Sequence, residues 1–490
     1  MFSNPTAITF VGYLLVMVCV GFYAYYHTRS YGDYILGGRS LGGFVTALSV
    51  GASDMSGWLL MGLPGAVYLA GISQSWIGIG LVLGSYINWC VVASRLRVYT
   101  EKTHNALTLP DYFSHRFEDK QNLLRIIAAV VILLFFTIYC ASGVVAGARL
   151  FENTFSMSYE TALILGAAAT ICYVFVGGFL AVSWTDTIQA LLMCLALIVT
   201  PIAVMYDLGG FTAATECVAS VDIKMLNILE GHTLVGIVSL LAWGLGYFGQ
   251  PHILVRFMGI SSPAAIKKSR RIATVWVVIS LTAAVMIGVS GRMVLGDGLL
   301  DGNGQQEIIY ITMVSKFFPL FIAGIFLSAI LAAIMSTADS QLLVTASALT
   351  KDFYHNKIRP QATEKELMWV SRGCVMGVAV IAVLIATNQN STVLGLVSYA
   401  WGGFGSAFGP LVLCSLFWKR TNKQGAYAGI LVGGIVDLVW AQLSGGIFDL
   451  YEIVPGFVCG LIAIFVVSLL TAAPSKEITD EFDSYRSCEE

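Results

Sequence analysis

The chain has 490 residues, of which 57% are apolar and only 11% charged, with a formal net charge of −2. Soluble domains carry about 25% charged residues, and a mean hydropathy of +0.79 excludes a soluble globular protein in favour of one that crosses a membrane many times. So small a net charge says little about partners.

The first apolar run, residues 7–26, is about long enough to span a bilayer. No Lys or Arg precedes it and no small-residue cleavage site follows it, so a retained helix is expected rather than a signal peptide. A hydropathy window of about 19 residues predicts thirteen spans in all, near 6–27, 41–71, 74–94, 124–148, 158–180, 186–206, 233–255, 272–292, 317–348, 369–387, 392–418, 425–443 and 449–472. With the N-terminus outside, 23 of the 27 Lys and Arg residues fall in cytoplasmic segments, leaving Arg149, Lys224, Arg292 and Lys316 on the other side. That asymmetry follows the positive-inside rule and predicts an odd number of spans with the C-terminus inside. The ten cysteines form no C-x-x-C pair, and eight lie in apolar segments, which reads as small buried hydrophobes.

The second span carries an anomaly. Residues 50–65 read V-G-A-S-D-M-S-G-W-L-L-M-G-L-P-G, placing Asp54, Ser53, Ser56, four glycines and a proline inside an apolar segment. An ionisable group at bilayer depth is costly and marks function by default, and irregular backbone is tolerated there only when it is buried in protein or lines a cavity. A broken helix is expected, with freed carbonyls and Asp54 forming a polar site at mid-membrane.

The seventh span repeats the pattern as L-L-A-W-G-L-G-Y-F-G-Q-P-H over residues 240–252. Paired Gly/Pro-interrupted segments in corresponding places of two halves point to the binding site of a transporter built from inverted repeats. The ninth span contains S-A-I-L-A-A-I-M-S-T-A-D-S at 328–340. The adjacent hydroxyls of Ser336 and Thr337, with carbonyls from a broken helix, suit a small hard cation. Asp339 lies three residues past Ser336, a second ion or proton site or a paired residue without functional weight. No G-x-x-x-x-G-K-[ST] loop supports ATP-driven pumping, and no H-E-x-x-H spacing suggests an intramembrane metalloprotease. A channel, a secondary transporter or a membrane enzyme of unfamiliar type remains.

Seven stretches together decide among these. They are D-Y-I-L-G-G-R-S-L-G (33–42), G-A-S-D-M-S-G-W-L-L-M-G-L-P-G-A (51–66), A-L-T-L-P-D-Y-F (106–113), L-L-F-F-T-I-Y-C-A-S-G (133–143), G-G-F-L-A-V-S-W-T-D-T (177–187), W-G-L-G-Y-F-G-Q-P-H (243–252) and G-L-V-S-Y-A-W-G-G-F-G (395–405). In them the chain resembles the sodium/solute symporter family, most closely its bacterial sodium/proline symporters, from about residue 31 to 468. The resemblance implies an all-α polytopic membrane protein of thirteen transmembrane helices with the LeuT-type inverted five-helix repeats. These are 41–206 and 233–418, with peripheral helices at 6–27 and 425–472. It also implies sodium-coupled uptake of L-proline across a bacterial inner membrane, without enzymatic activity, organic cofactor, nucleic acid or obligate protein partner.

Carried over by motif, the resemblance assigns sodium to the backbone oxygens of Ala52, Met55 and Ala333 and the hydroxyls of Ser336 and Thr337. Asp54 resembles the carboxylate essential for coupling, Asp186 the acidic residue on the ion-exit path, and Arg39 a cytoplasmic residue tied to coupling. Ser56, Trp58, Tyr139, Trp243, Tyr247 and Pro251 would line the solute pocket. Aromatic faces suit an apolar ring and a secondary ammonium, but they do not by themselves select proline. A symporter of another amino acid, a sugar or a carboxylate is the nearer alternative, and a channel or sensor the more distant one.

Overall fold

The computed structural model describes residues 4–27, 31–174, 178–210, 212–213, 216, 223–300 and 304–486. Gly177, which opens one of the quoted stretches, and the side chain of Cys172 lie outside what is described. Numbering the helices of eight residues or more in chain order, the first third holds α1 (Pro5–His27), α2 (Gly43–Asp54), α3 (Leu63–Ala70), α4 (Ser75–Val91), α5 (Ala93–Lys102) and α6 (Leu109–Arg116). The middle holds α7 (Leu123–Phe155), α8 (Tyr159–Val174), α9 (Phe179–Asp207), α10 (Leu234–Leu241), α11 (Pro251–Gly259), α12 (Pro263–Leu295) and α13 (Ile309–Phe317). The remainder is α14 (Leu320–Ser347), α15 (Glu364–Ala386), α16 (Val393–Phe417), α17 (Lys423–Trp440), α18 (Ile453–Leu470) and α19 (Lys476–Arg486).

Among the described residues, nine helical stretches are long and apolar enough to cross a membrane. The α10–α11 pair, bent by 42°, makes ten. Leu15, Phe22, Leu195, Ile202, Val380, Leu384, Ile462 and Leu469 stand exposed on these helices. Apolar surface on this scale belongs against lipid. By contrast, every residue of α14 from Phe326 to Leu343 is buried, as expected of a helix that is apolar or small all round.

Both expected breaks are present. In the first, α2 ends at Asp54, Met55 leaves the helical region (φ −84°, ψ 79°), and the chain resumes as a wide helical turn from Trp58 to Gly62 before α3. Gly71, at φ +81°, then allows the turn into α4. In the second, α10 tightens into a 3-10 segment over Ala242–Phe248, and Pro251 at the first turn opens α11, where its missing N–H costs nothing. Small residues let the second break lie against α4. A Cβ on Gly84 would stand 2.2 Å from the Gly244 carbonyl oxygen, so the two backbones touch. The far ends of the two broken segments are stitched together, since Leu41 donates to the Gly259 carbonyl and accepts from the Ser261 amide.

The structure differs from the sequence reading in several places. Span six begins at Phe179 rather than at residue 186, so Asp186 sits two turns inside α9 and caps nothing. Span seven runs on through Arg256 to Gly259. In both, the window stopped at a charge, and the charge is carried inside the helix because the two are partners. Cys19 and Cys90 are exposed rather than buried, and only Cys140 and Cys414 of the described cysteines are buried. The spans expected at 41–71 and 74–94 share one long helical stretch, Trp58–Val91.

Candidate functional site

The first break is where the predicted residues meet. The Ala52 carbonyl accepts from the Ser336 hydroxyl at 2.8 Å and from the Thr337 hydroxyl at 3.4 Å, and Ser336 also donates to the Ala333 carbonyl at 3.2 Å. All of these residues are buried. Met55 follows directly on α2, with its amide still bonded to Gly51 and its carbonyl released from the helical ladder. Four of the five predicted ligands thus form one oxygen cluster between α2 and α14, and the fifth stands at the break beside it. An all-oxygen set without a charged member is chemistry for a hard monovalent cation.

Asp54 serves the other side of the same break. Its carboxylate accepts from the Tyr247 hydroxyl at 2.5 Å. Its main-chain oxygen accepts from the Trp58 indole at 3.1 Å and the Tyr139 hydroxyl at 3.3 Å. Among the described residues the second carboxylate oxygen is buried without a hydrogen-bond partner. Among the described residues no hydrogen bond joins the Asp54 carboxylate to Ser336 or Thr337.

The aromatic candidates gather on this second side. Trp58 and Trp243 lie 6.3 Å apart between ring centroids. Trp401 of α16, which the sequence did not suggest, donates to the Trp243 carbonyl at 2.7 Å and meets Tyr247 edge-on at 5.2 Å. Ser56 is buried at the turn and accepts weakly from the Trp58 amide at 3.5 Å. Pro251 stands apart from this group. It lines a narrow cavity with Phe179, Arg256 and Ser340, to which none of the aromatic candidates contributes.

Asp186 belongs to a buried network that the sequence reading left without a partner. Arg256 donates to Asp186 at 2.9 Å, to the Ser340 hydroxyl at 2.5 Å, to the Ser49 hydroxyl at 2.8 Å and to the His252 carbonyl at 2.6 Å. Ser49 in turn donates to Asp186 at 2.6 Å. Four helices, α2, α9, α11 and α14, are tied at this point. Asp339 sits alongside, accepting from Ser340 at 3.3 Å, with its other oxygen lacking a hydrogen-bond partner among the described residues. Arg256 is the one Lys or Arg between residues 233 and 259, and its place at the end of an apolar run hides its pairing with Asp186 from hydropathy.

Arg39 is neither lipid-facing nor free. Its guanidinium donates to the carbonyls of Met258 (2.6 Å) and Ala106 (2.8 Å), to Thr100 (3.1 Å) and to Asn105 (3.0 Å). It locks the end of α11 to the α5–α6 connection.

The sequence profile of the Sodium:solute symporter family matches residues 34–433. The chain belongs to the sodium:solute symporter family. It is 56% identical over 483 residues to the sodium/proline symporter of Escherichia coli strain K12, covering 98% of this chain and 96% of that one. It is 49% identical over 474 residues to the high-affinity proline transporter PutP of Bacillus subtilis strain 168, covering 96% and 99%. Among solved structures, a sodium-coupled sialic acid symporter in a substrate-bound outward-open state superposes with a TM-score of 0.81 at 20% identity, covering 97% of this chain and all of that one. MhsT in complex with L-phenylalanine superposes at 0.53 and 15% identity, covering 87% and 97%. At these identities the superpositions establish the shared fold.

Proposed function

We propose that this protein takes up L-proline together with sodium across a bacterial inner membrane, by alternating access between inverted repeats at 41–206 and 233–418. The observation that carries the reading is the convergence of the Ser336 and Thr337 hydroxyls on the Ala52 carbonyl at the break. Identity near one half with proline transporters over almost their whole length supports the solute. In this reading there are thirteen spans with the N-terminus outside and the C-terminus inside, as the distribution of Lys and Arg supports.

Sodium enters between α2 and α14, where Ala52, Met55, Ala333, Ser336 and Thr337 supply its oxygens. Asp54 offsets the charge without entering the ligand set. Binding settles the backbone between Asp54 and Trp58, the segment on which the aromatic candidates rest, and so prepares the pocket for proline. The pyrrolidine ring lies among Trp58, Tyr139, Trp243 and Tyr247, and half-helix N–H groups near Ser56 meet the carboxylate. Release to the cytoplasm passes the Asp186–Arg256 network and the narrow cavity beside Pro251.

Sodium with zwitterionic proline moves one net charge, so a potential of 100 mV contributes about 2.3 kcal/mol per cycle. The test is uptake of labelled proline by purified protein in vesicles. Uptake should require sodium and generate inward current. Equal uptake with potassium in place of sodium would overturn the coupling, and stronger competition by another amino acid, a sugar or a carboxylate would reassign the solute.

A further inference from the structure

Tyr451 lies beyond residue 433, where the family match ends, in the connection between α17 and α18. In the fold its side chain is 8% exposed, and its ring packs on Trp243 with centroids 5.6 Å apart and planes tilted by 32°. Trp243 packs in turn near Trp58, so three aromatic rings run in series from this connection to the break in the first broken helix. Tyr451 is also held at both ends. Its hydroxyl donates to the Ser398 carbonyl of α16 at 2.7 Å, and its amide donates to the Ser239 hydroxyl of α10 at 3.0 Å.

The connection that presents Tyr451 is itself pinned. The Trp440 indole donates to the Leu450 carbonyl at 2.9 Å, and the Gly445 amide donates to the Asp449 carboxylate at 2.8 Å. Next in sequence, Glu452 stands with Asp437 around Gly402. A Cβ built on that glycine would lie 3.1 Å from an Asp437 oxygen and 3.5 Å from a Glu452 oxygen. The ring of Tyr451 is therefore held through its hydroxyl on α16, while its backbone is tied to α10 and that of its neighbour Leu450 to α17.

We propose that Tyr451 is a specificity-determining residue that forms the wall of the solute pocket facing the α17–α18 connection and sets the size of ring the pocket accepts. This rests on the proline reading above. A solute ring seated against Trp243 and Trp58 has the fixed ring of Tyr451 as its limit, and a homologue one methylene larger must displace it. One methylene in a tight apolar pocket discriminates by about 10- to 200-fold.

The test uses the full-length protein in vesicles under a sodium gradient, with labelled proline and unlabelled rings of four members (azetidine-2-carboxylate) and six (pipecolate) as competitors. In the unsubstituted protein, pipecolate should compete at least about tenfold less well than proline. Tyr451→Ala should bring pipecolate to within about threefold of proline while leaving the sodium dependence unchanged, a readout that a merely structural role would not move. Tyr451→Phe, which keeps the ring and loses only the Ser398 bond, should retain the ring-size preference with a proline KM raised by about threefold. Tyr451→Trp, with the larger ring, should reject pipecolate more strongly and provides the measurement should the alanine variant fail to insert. An unchanged ratio of pipecolate to proline competition in an inserted Tyr451→Ala or Tyr451→Trp protein would overturn the proposal. Absence of proline uptake by the unsubstituted protein would instead overturn the proline reading on which it rests.

Discussion

The hydroxyl of Ser336, in the middle of α14, donates to the carbonyl of Ala52, the last but two residue of α2, across 2.8 Å. Two helices distant in sequence thus meet through atoms that both carry usable lone pairs.

Ser336→Ala removes one oxygen and the clasp between the helices. The sodium concentration for half-maximal proline uptake should rise by about tenfold or more, given the 1.5–3 kcal/mol of a hydrogen bond to a charged group. Thr337→Ser keeps the oxygen and should stay close to the parent protein. Sodium titrations of uptake at fixed proline check both, and a Ser336→Ala protein with unaltered sodium dependence would remove Ser336 from the ligand set.

Asp54→Asn keeps the size of the side chain and its bond from Tyr247 but removes the negative charge. Insertion should be intact, since the carboxylate has no basic partner among the described residues, while sodium-driven uptake should fall at least about a hundredfold, in line with the weight of intramembrane ionisable residues. Uptake and the amount of inserted protein are measured on the same vesicles. Normal sodium-driven transport by the variant would leave Asp54 outside the mechanism.

For the Asp186–Arg256 pair, 2.9 Å apart and almost wholly buried, the physics predicts an asymmetry. Removing one member strands a buried charge at a cost of about 3–5 kcal/mol, whereas removing both is far less damaging. Asp186→Asn and Arg256→Gln should each lower the thermal midpoint in detergent, and the double variant should recover most of the loss. Strictly additive losses would show that the two charges do not compensate one another.

Gly84 and Gly12 offer a paired test of packing. A Cβ at Gly84 would meet the Gly244 carbonyl oxygen at 2.2 Å, whereas at Gly12 nothing lies within 4 Å. Gly84→Ala should force α4 from the second break and reduce the amount of stable protein, while Gly12→Ala should be neutral or stabilising by up to about 1 kcal/mol through helix propensity. Equal thermal midpoints for the two would mean that the backbone contact carries no load.

Much of the site was legible because breaks in membrane helices require particular residues. The glycines and Pro251 announce the second break, and Asp54 with its glycines announces the first. Adjacent hydroxyls on an otherwise apolar helix give Ser336 and Thr337 away. The partner of Asp186 was not legible, because hydropathy ends the span just before Arg256 and so assigns it to the loop that carries the basic run at 267–271. Tyr451 and Trp401 were not legible either, since an aromatic residue in or near a span is most often packing.

Sequence alone determined that this chain lives in a membrane, where its helices break, and which family it belongs to, because bilayer burial leaves few residues able to interrupt a helix. The tertiary structure alone decided which polar group answers which. It set Ala52 against Ser336, Asp54 against Tyr247, Asp186 against Arg256, and Tyr451 over Trp243. Those pairings join residues from 70 to 284 positions apart. They depend on helix rotation and depth, which apolar composition leaves free and which only close packing among all the helices fixes.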